Sequence, residues 1–402
     1  MDSSVSSGTR AGAQACLIGV AMFLLAGFGF GQAASSHSSS AGRPATHVLT
    51  NWNQFHRRDM TRFNRYEKFL TVNNVKNLGL KWSYTTGWYV RSSLAVVNGM
   101  VYVLSWDGNT YALDAHTGAK LWSHRTDKYY VVDSSPAVAN GVVYIGTDIG
   151  LDALDAHTGA ELWSYQTGYY FDGAPAVVNG IVYVGSDDYN VYALDARNGA
   201  KLWNYTTGAL VGSSPAVADG VVYVGSYDGN VYALDARTGA KLWSYANGYW
   251  NWGSSPAVAN GVVYIGSDDH NIYALDARTG AKLWSYATAS YVESSPAVTN
   301  GAVYVGSWDR NAYALDARTG AKLWSFQTGD LVYSSPAAAN GVVYVGSDDD
   351  KVYALDARTG AKLWSYQTGS YVTSSPAVVN GVVYVGSDDG KVYAFSLKHG
   401  RK

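Results

Sequence analysis

A phrase close to Ser-Ser-Pro-Ala-Val recurs along most of the 402-residue chain and constrains its fold more than any other feature. Eight copies begin at residues 92, 134, 173, 213, 254, 294, 334 and 374. Successive copies therefore lie 39–42 residues apart. A repeat of about 40 residues that contains several short strands is typical of the blades of a β-propeller.

Each repeat contains the signals of four strands. In the last copy, the runs VVYVG and KVYAF are rich in β-branched and aromatic residues and are bounded by Gly, Asn and Asp, which predicts two paired strands. Both runs are almost continuously apolar, as expected where both faces of a sheet are covered. The run KLWSY of other copies alternates between apolar and polar residues. That alternation predicts an outer strand with one solvated face.

The positions of the outer-strand tryptophans predict how the ring closes. Trp82 precedes the first Ser-Ser phrase, and the chain ends at residues 393–397 on a third strand that has no outer strand after it. The two ends then complete one blade together, which removes the open sheet edges. We predict an all-β, eight-bladed propeller of four-stranded blades over residues 78–397, followed by a short tail at 398–402.

The N-terminal segment predicts export. Arg10 precedes an apolar run from Cys16 to Phe30, and small residues follow it, as in a secretory signal peptide covering residues 1–34. An uncleaved anchor is the alternative, although the run is short for a membrane span. The only cysteine, Cys16, lies within this segment, so the mature chain has no disulfide and no lipidated cysteine. We expect a periplasmic or extracellular monomer with no stable membrane span after cleavage.

Residues 35–77 form a Ser-rich linker and a basic arm. Seven basic and two acidic residues give this segment a net charge of +5, whereas residues 1–34 are neutral and the whole chain is −2, so the remainder is −7. The arm either packs on the acidic body or binds a separate anionic partner. The overall charge gives no sign of a nucleic-acid partner.

The phrase ALDARTGAKLW resembles the tryptophan-docking motif of the quinoprotein (pyrroloquinoline quinone) β-propellers. The matching positions in one repeat are Ala233, Asp235, Thr238, Gly239 and Trp243. Residues 51–87 also resemble the lead-in of quinoprotein alcohol dehydrogenases. The resemblance implies that each tryptophan packs on the next blade and locks the ring. The expected docking residues are Trp82, Trp122, Trp163, Trp203, Trp243, Trp284, Trp324 and Trp364.

The resemblance covers enzymes and non-catalytic proteins. The enzymes hold the quinone beneath two adjacent cysteines and bind Ca²⁺ with a Glu, Asn and Asp set. Apart from Cys16 the chain has no cysteine, and its only glutamates after Glu67 are Glu161 and Glu293. We therefore predict no catalytic residues and no cofactor, in the style of the outer-membrane assembly propeller and related secreted repeat proteins. The alternative is a dehydrogenase of alcohols or sugars that uses pyrroloquinoline quinone with Ca²⁺.

One face of the predicted ring varies between repeats, and the other does not. The connections from fourth to first strands and from second to third strands differ in sequence and length, whereas the other turns hardly change. Drift at tolerant loops is one explanation. The other is a binding face for a protein, peptide or glycan, because Tyr and Trp are enriched at interfaces. The candidate residues are Trp106, Tyr129, Tyr130, Asp133, Tyr169, Tyr170, Phe171, Asp172, Tyr249, Trp250, Trp252, Tyr291, Glu293, Trp308, Asp330 and Tyr371.

Two acidic features remain. Asp152 takes the place that Tyr111 and Tyr192 hold in other repeats. We expect a local hairpin shift that exposes this carboxylate, with a catalytic base as the alternative. The Ser-Asp-Asp-Gly hairpins lack the ligand spacing of a calcium loop and suit tight turns. The sequence therefore predicts no metal site.

Overall fold

The computed structural model describes residues 51–57, 59–126, 133–248 and 253–398. They form eight sheets arranged as the blades of a ring, and the four strands of each blade are antiparallel. The short strand Phe63–Asn64 of the arm adds to blade 7 in parallel with its inner strand. The inner strand of each blade contacts the inner strands of its neighbours, including the last and the first. The prediction of an all-β, eight-bladed propeller is confirmed. No helix within the described part of the chain is long and apolar enough to span a membrane.

The N-terminal elements are β1 (Phe63–Asn64), a 3₁₀ helix (Val75–Asn77) and β2 (Leu78–Thr85). Blades 1 to 4 consist of β3 (Ala95–Val97), β4 (Met100–Ser105), β5 (Asn109–Asp114) and β6 (Lys120–Arg125); β7 (Ala137–Ala139), β8 (Val142–Gly146), β9 (Gly150–Asp155) and β10 (Glu161–Gln166); β11 (Ala176–Val178), β12 (Ile181–Gly185), β13 (Asn190–Asp195) and β14 (Lys201–Thr206); and β15 (Ala216–Ala218), β16 (Val221–Gly225), β17 (Asn230–Asp235) and β18 (Lys241–Ala246). Blades 5 to 8 consist of β19 (Ala257–Ala259), β20 (Val262–Gly266), β21 (Asn271–Asp276) and β22 (Lys282–Ala287); β23 (Ala297–Thr299), β24 (Ala302–Gly306), β25 (Asn311–Asp316) and β26 (Lys322–Gln327); β27 (Ala337–Ala339), β28 (Val342–Ser347), β29 (Lys351–Asp356) and β30 (Lys362–Gln367); and β31 (Ala377–Val379), β32 (Val382–Ser387) and β33 (Lys391–Leu397) with β2.

The outer strand of each blade contacts the next blade through its tryptophan. In blade 4, the Trp243 Nε1–H donates to the carbonyl oxygen of Ala277 in blade 5 at 3.0 Å. The turn of blade 5 can approach the indole ring because Gly280, at φ +73°, has no Cβ; an added Cβ would lie 2.7 Å from the ring. Equivalent Nε1–H bonds of 3.0–3.2 Å occur at all eight interfaces. These are the contacts that the expected docking role requires.

The two chain ends meet in blade 8. Strand β2 pairs with β33, and Trp82 lies opposite Ala394. This blade has no covalent turn between its third and outer strands, so Trp364 donates to the carbonyl oxygen of Leu78. The N-terminal outer strand therefore completes the last blade, as the sequence predicts.

A belt of serines surrounds the channel at the centre of the ring. The backbone N–H of Ser214 donates to Ser255 Oγ at 2.9 Å, and Ser255 N–H donates to Ser295 Oγ at 2.8 Å. The same bond joins Ser295 to Ser335 and Ser335 to Ser375. The second serine of the repeated phrase thus links an inner strand to the one before it at six blade interfaces. Blade 3 has Ala174 at this position and no hydroxyl to accept the bond. This role explains a feature of the repeat that the sequence alone left unexplained.

The N-terminal arm lies inside the channel and bonds to the middle of the inner strands. Its described residues contact seven of the eight blades in this way, by the bonds Val96–Trp52, Val138–Asn53, Val177–Gln54, Val258–Met60, Val298–Thr61, Ala338–Arg62 and Val378–Asn64. Beyond these residues, Glu67 accepts from the backbone N–H of Gly381, which lies in a turn of the constant face. The arm therefore fills the channel on the side of the constant face.

Arg62 holds the arm through backbone carbonyls. Its side chain is fully buried, and it donates to the carbonyl oxygens of Phe55, Ser335, Pro336 and Pro376 at 2.6–3.3 Å. Burial lowers its pKa to about 9, so that it stays charged at neutral pH. Of the two sequence interpretations, packing on the body is the observed one for residues 51–77. The contacts are to carbonyl dipoles, however, and not to acidic side chains.

The predicted signal peptide (1–34) and the Ser-rich start of the linker lie outside the described residues, as does the C-terminal tail from residue 399. Their assignment stays a prediction. The predicted start of the propeller at residue 78 coincides with the first residue of β2.

Candidate binding face at the mouth of the channel

In five blades, an aspartate of the second-to-third-strand hairpin accepts a hydrogen bond from the loop that enters the same blade. In blade 4, Asp228 Oδ2 accepts from the Gly208 N–H at 2.7 Å and from the Tyr232 hydroxyl at 2.6 Å. Gly208 belongs to the loop that enters blade 4, so the loop and the hairpin lie at the same end of the ring. The second aspartate of the Ser-Asp-Asp-Gly hairpins is therefore occupied by structural bonds. These bonds agree with the interpretation of the Ser-Asp-Asp-Gly hairpins as tight turns.

We define the mouth of the channel by sixteen residues, which occupy two equivalent positions in each of the eight repeats. The residues just before the Ser-Ser phrase are Arg91, Asp133, Asp172, Gly212, Gly253, Glu293, Tyr333 and Thr373. The residues that follow the hairpin Ser or Thr are Trp106, Asp148, Asp187, Tyr227, Asp268, Trp308, Asp348 and Asp388.

Residues of distant blades lie close together at the mouth. Tyr333 enters blade 7 and Asp133 enters blade 2, yet the Asp133 charge contributes to the raised pKa of Tyr333, after burial and Glu293. Burial, and then the charges of Asp172 and Asp187, raise the pKa of Tyr227 as well. Mouth residues of blades 2, 3, 4, 6 and 7 therefore lie near one another across the axis of the ring.

The mouth is strongly acidic. Eight of its sixteen positions are carboxylates and one, Arg91, is a cation. Arg91 is already engaged, because its guanidinium donates to both carboxylate oxygens of Asp388 at 2.9–3.3 Å. It also lies 4.2 Å from the centre of the Trp106 ring, and the Trp106 Nε1–H donates to Asp133 at 2.8 Å. Carboxylates thus outnumber cations by eight to one among these sixteen positions.

Burial beside like charges raises the pKa values of these acids. Burial, together with Asp268, raises the pKa of Glu293 to about 8, although the Tyr333 hydroxyl opposes the shift. The pKa of Asp348 is raised to about 7 by burial and by Asp330 and Asp388. Burial and the adjacent aspartate raise the pKa values of Asp187 and Asp268 to about 6. A positive ligand would relieve this repulsion.

Aromatic side chains form the rim of the mouth. Tyr169, Tyr291 and Tyr371 are exposed to 55%, 41% and 49%. Tyr291 packs edge-on against Trp308, with ring centres 5.4 Å apart, and Trp308 contacts Tyr333 at 6.3 Å. Acidic walls and an aromatic rim are therefore parts of one surface.

The structure corrects one candidate. Phe171 is fully buried and stacks on Tyr192 with ring centres 5.9 Å apart. It occupies the position of Val211 and Val292, whose side chains are also fully buried. Alternation along the loop turns this residue inward, so Phe171 belongs to the core and not to the rim. Tyr170 is half-buried and packs against Leu104 and Ile145.

The other candidates divide into three groups. Trp106, Asp133, Asp172, Glu293 and Trp308 lie at the mouth, and Asp330 lies beside it, with its side chain 3.9 Å from Arg310. Tyr169, Tyr291 and Tyr371 lie on the rim. Five candidates lie outside the described residues: Tyr129, Tyr130, Tyr249, Trp250 and Trp252.

Several mouth residues escaped sequence reasoning, which compared loops and hairpins separately. Arg91, Tyr227, Tyr333, Asp348 and Asp388 were not among the candidates. Comparing these two repeat positions across all eight copies would have found them, because each of the five residues occupies one of the two positions.

Asp152 does not behave as predicted. It lies opposite Ile145 in β8, the register that Tyr192 has opposite Val184 in blade 3. No hairpin shift exposes it, and it is 9% exposed. The shorter hairpin of blade 2 removes one residue from the turn and leaves the strand register unchanged. The expected exposure of Asp152 is therefore wrong.

The mouth residues do not fit the quinone of the related enzymes. Pyrroloquinoline quinone carries several carboxylates, and here it would face carboxylates such as Asp172 and Glu293. The one arginine is bonded to Asp388. Among the described residues, no free cation at the mouth would compensate an anionic cofactor.

A ring of eight four-stranded blades, joined by tryptophan-to-glycine contacts, defines a propeller of the quinoprotein type. The model of a family described as "Outer membrane protein assembly factor BamB" matches residues 76–170, 150–251, 246–337 and 332–402. The chain belongs to this family. No curated protein sequence matches it.

Solved structures share the fold at low sequence identity. BamB from Moraxella catarrhalis is 22% identical, with a TM-score of 0.69 over 79% of this chain and 99% of that one. A quinohemoprotein alcohol dehydrogenase from Comamonas testosteroni is 20% identical, with a TM-score of 0.74 over 88% and 82%. A europium-containing methanol dehydrogenase is 18% identical, with a TM-score of 0.74 over 87% and 98%. The same ring thus supports an assembly factor and redox enzymes.

Proposed function

We propose that this protein is an exported, non-catalytic scaffold that binds a basic segment of a partner protein or peptide at the mouth of its channel. One observation carries the proposal: eight carboxylates and a single arginine, already paired, surround one shared space. The exposed rim aromatics give the same surface an apolar component.

The physical basis is charge complementarity at a partly desolvated site. A Lys or Arg side chain entering the mouth meets carboxylates whose pKa values are raised first by burial and then by neighbouring acids. It can also stack over the rim rings, since cation–π contacts add to binding where water is displaced. A glycan could stack on the same rings, but it would leave the carboxylates without counter-charges.

Family membership and the N-terminal sequence support the same proposal. The family is described by an assembly factor, a role exercised through other proteins. The dehydrogenase alternative has less support, because an anionic quinone would meet an excess of acidic residues at the mouth. Export is proposed from the signal-like residues 1–34 together with this family.

Binding can be measured with a fluorescently labelled peptide in which lysine or arginine alternates with apolar residues. We expect saturable binding to the full chain that weakens with added salt, because screening reduces exposed charge attraction. The double variant Asp172→Asn with Glu293→Gln is compared with the wild type at about pH 9, where Glu293, whose pKa is raised to about 8, is ionised. There it removes two charges from the mouth and should weaken binding by about tenfold or more.

Asp219→Asn is the matched control. Asp219 lies in a turn of the constant face, where most other repeats have Asn, and its removal should leave peptide binding unchanged. If the control and the mouth variant weaken binding equally, the attraction comes from net charge and not from the mouth. If an acidic peptide of the same pattern binds as tightly, the proposal is wrong. Titration with pyrroloquinoline quinone and Ca²⁺, followed by dye reduction with alcohols, tests the enzyme alternative.

A further inference from the structure

One interface of the ring departs from the other seven at four positions at once. Between blades 1 and 2, His124 replaces the aromatic of the outer strand, Asp152 replaces the third-strand tyrosine, and Ile149 replaces the hairpin aspartate. Glu161 stands where six other repeats have lysine and the repeat of Trp82 has leucine.

The other seven interfaces show what these positions normally do. An outer-strand Tyr or Phe packs on the third-strand Tyr of the next blade, with ring centres 5.3–6.0 Å apart. In all seven, that Tyr donates its hydroxyl to the hairpin aspartate. The arrangement is a structural aromatic pair. At the interface of blades 1 and 2, both aromatic residues and the hairpin aspartate are replaced.

The replacements come together in space. The imidazole of His124 and the carboxylates of Asp152 and Glu161 offer donor atoms that all lie within 4.8 Å of one another. His124 comes from blade 1 and both acids from blade 2. Asp152 and Leu154 are on the same face of β9, and Glu161 lies opposite Leu154, so a strand ladder places both acids toward blade 1. This is the sole group of its kind within the described part of the chain.

We propose that His124, Asp152 and Glu161 bind a divalent first-row metal ion such as Zn²⁺. One imidazole nitrogen and two carboxylate oxygens are ligands that Zn²⁺ accepts at about 2.0–2.2 Å. The two carboxylates balance the charge of the ion, and a water molecule can complete the coordination. Glu161 is exposed and is the first residue of β10. Rotation about its side-chain bonds can therefore bring its carboxylate to the ion.

The site would join two blades. A metal held by β6 of blade 1 and by β9 and β10 of blade 2 replaces the aromatic pair by a coordinate link. Random drift would not be expected to change three positions, on three different strands, to residue types that all bind metals. The three residues are 28 and 9 positions apart in the sequence, so no local spacing motif reveals them.

The test uses the untagged full chain, freed of metal by a chelator and titrated with Zn²⁺ in a calorimeter. We expect one ion per chain and a rise in the unfolding temperature on binding. His124→Tyr and Asp152→Asn should each weaken zinc binding by at least about 10–100-fold, the loss seen even for outer-shell partners. Glu161→Lys, which restores the usual residue, should do the same.

His116→Arg and His157→Arg are matched controls. Both histidines are exposed and lie in turns where other repeats have arginine, and their replacement should leave zinc binding intact. Circular dichroism in chelator shows whether each variant is folded. Equal zinc binding by folded His124→Tyr, or loss of binding in the controls alone, would overturn the proposal. Peptide binding at the mouth is measured separately, so failure of either proposal leaves the other testable.

Discussion

The indole N–H of Trp364 donates to the carbonyl oxygen of Leu78 at 3.1 Å, a contact between residues 286 positions apart. Every other tryptophan of this set bonds to an alanine carbonyl 33 or 34 residues further along the chain. The Trp364 contact is the point where the N-terminal strand replaces the missing turn of blade 8. The ring is therefore closed by side-chain and strand contacts alone.

Trp364→Ala should lower the free energy of unfolding by about 3 kcal/mol, because a large ring is lost at the closure. Urea denaturation followed by tryptophan fluorescence or circular dichroism measures it. Trp88→Ala is the control: Trp88 is 50% exposed on the variable face, and its loss should change stability by less than about 1 kcal/mol. Equal effects would show that Trp364 has no special part in closure.

Gly239→Ala separates the docking contact from backbone strain. Gly239 has φ +74°, and an added Cβ would lie 2.7 Å from the Trp203 ring. Gly220 has φ +78°, but an added Cβ there would meet nothing within 4 Å. Both alanine variants should lose about 1 kcal/mol from the positive φ, and Gly239→Ala should lose about 1–3 kcal/mol more from the displaced indole. Identical thermal shifts would contradict the docking role.

Arg62→Met should destabilise the protein by about 2–4 kcal/mol, because it leaves buried carbonyl oxygens without their donor. The comparison is Arg65→Met. Arg65 is on the same arm, but its side chain is 57% exposed and its nearest acid, Asp59, is 3.8 Å away, so its loss should change stability by less than about 0.5 kcal/mol. Chemical denaturation of the two variants distinguishes an anchored arm from one that merely lies in the channel.

Binding of a basic peptide should strengthen as the pH rises from about 5 to about 8.5. The pKa values of Asp187 and Asp268 are raised to about 6, of Asp348 to about 7 and of Glu293 to about 8. Each acid is neutral below its pKa and negative above it, so the mouth gains charge across this range. The increase should be about tenfold, measured by fluorescence anisotropy. Glu293→Gln should flatten the upper part of the curve, and a pH-independent affinity would contradict an electrostatic mouth.

The raised pKa of Glu293 has opposite effects on binding and on stability: as the pH rises, peptide binding strengthens and the folded state becomes less stable. A carboxyl group whose pKa is higher in the folded chain binds its proton more tightly there, so its contribution is complete below the unfolded pKa. For Glu293 this contribution is lost as the pH rises from the unfolded value of 4.5 to about 8. Glu293→Gln should therefore be more stable than the wild type at the upper end of the range, seen as a higher unfolding temperature there.

The fold could be predicted because its sequence pattern repeats, whereas features that occur only once could not be predicted. The strands, the turns and the closure by β2 follow from local patterns that occur eight times. Arg62 has no counterpart in the repeats, and three of its four carbonyl partners are more than 270 residues away, so no local pattern indicates its burial. Phe171 was misplaced because its loop reads as aromatic throughout, although only alternate residues face solvent.

The interface of blades 1 and 2 shows the same limit. Each of His124, Asp152 and Glu161 looks like an isolated substitution in the sequence. Their meeting depends on which face of each strand looks toward the neighbouring blade, and the register of β9 and β10 determines this.

The course of the arm through the channel has a consequence for the order of folding. Asn64 bonds to the carbonyl oxygen of Val378 at 2.7 Å, so a segment synthesised early must wait for almost the whole chain before its contacts exist. Blades form from neighbouring residues and can assemble as they emerge, whereas these long-range contacts come late. The arm is thus among the first segments made and the last to form its contacts, because its bonds reach from blade 1 to blade 8.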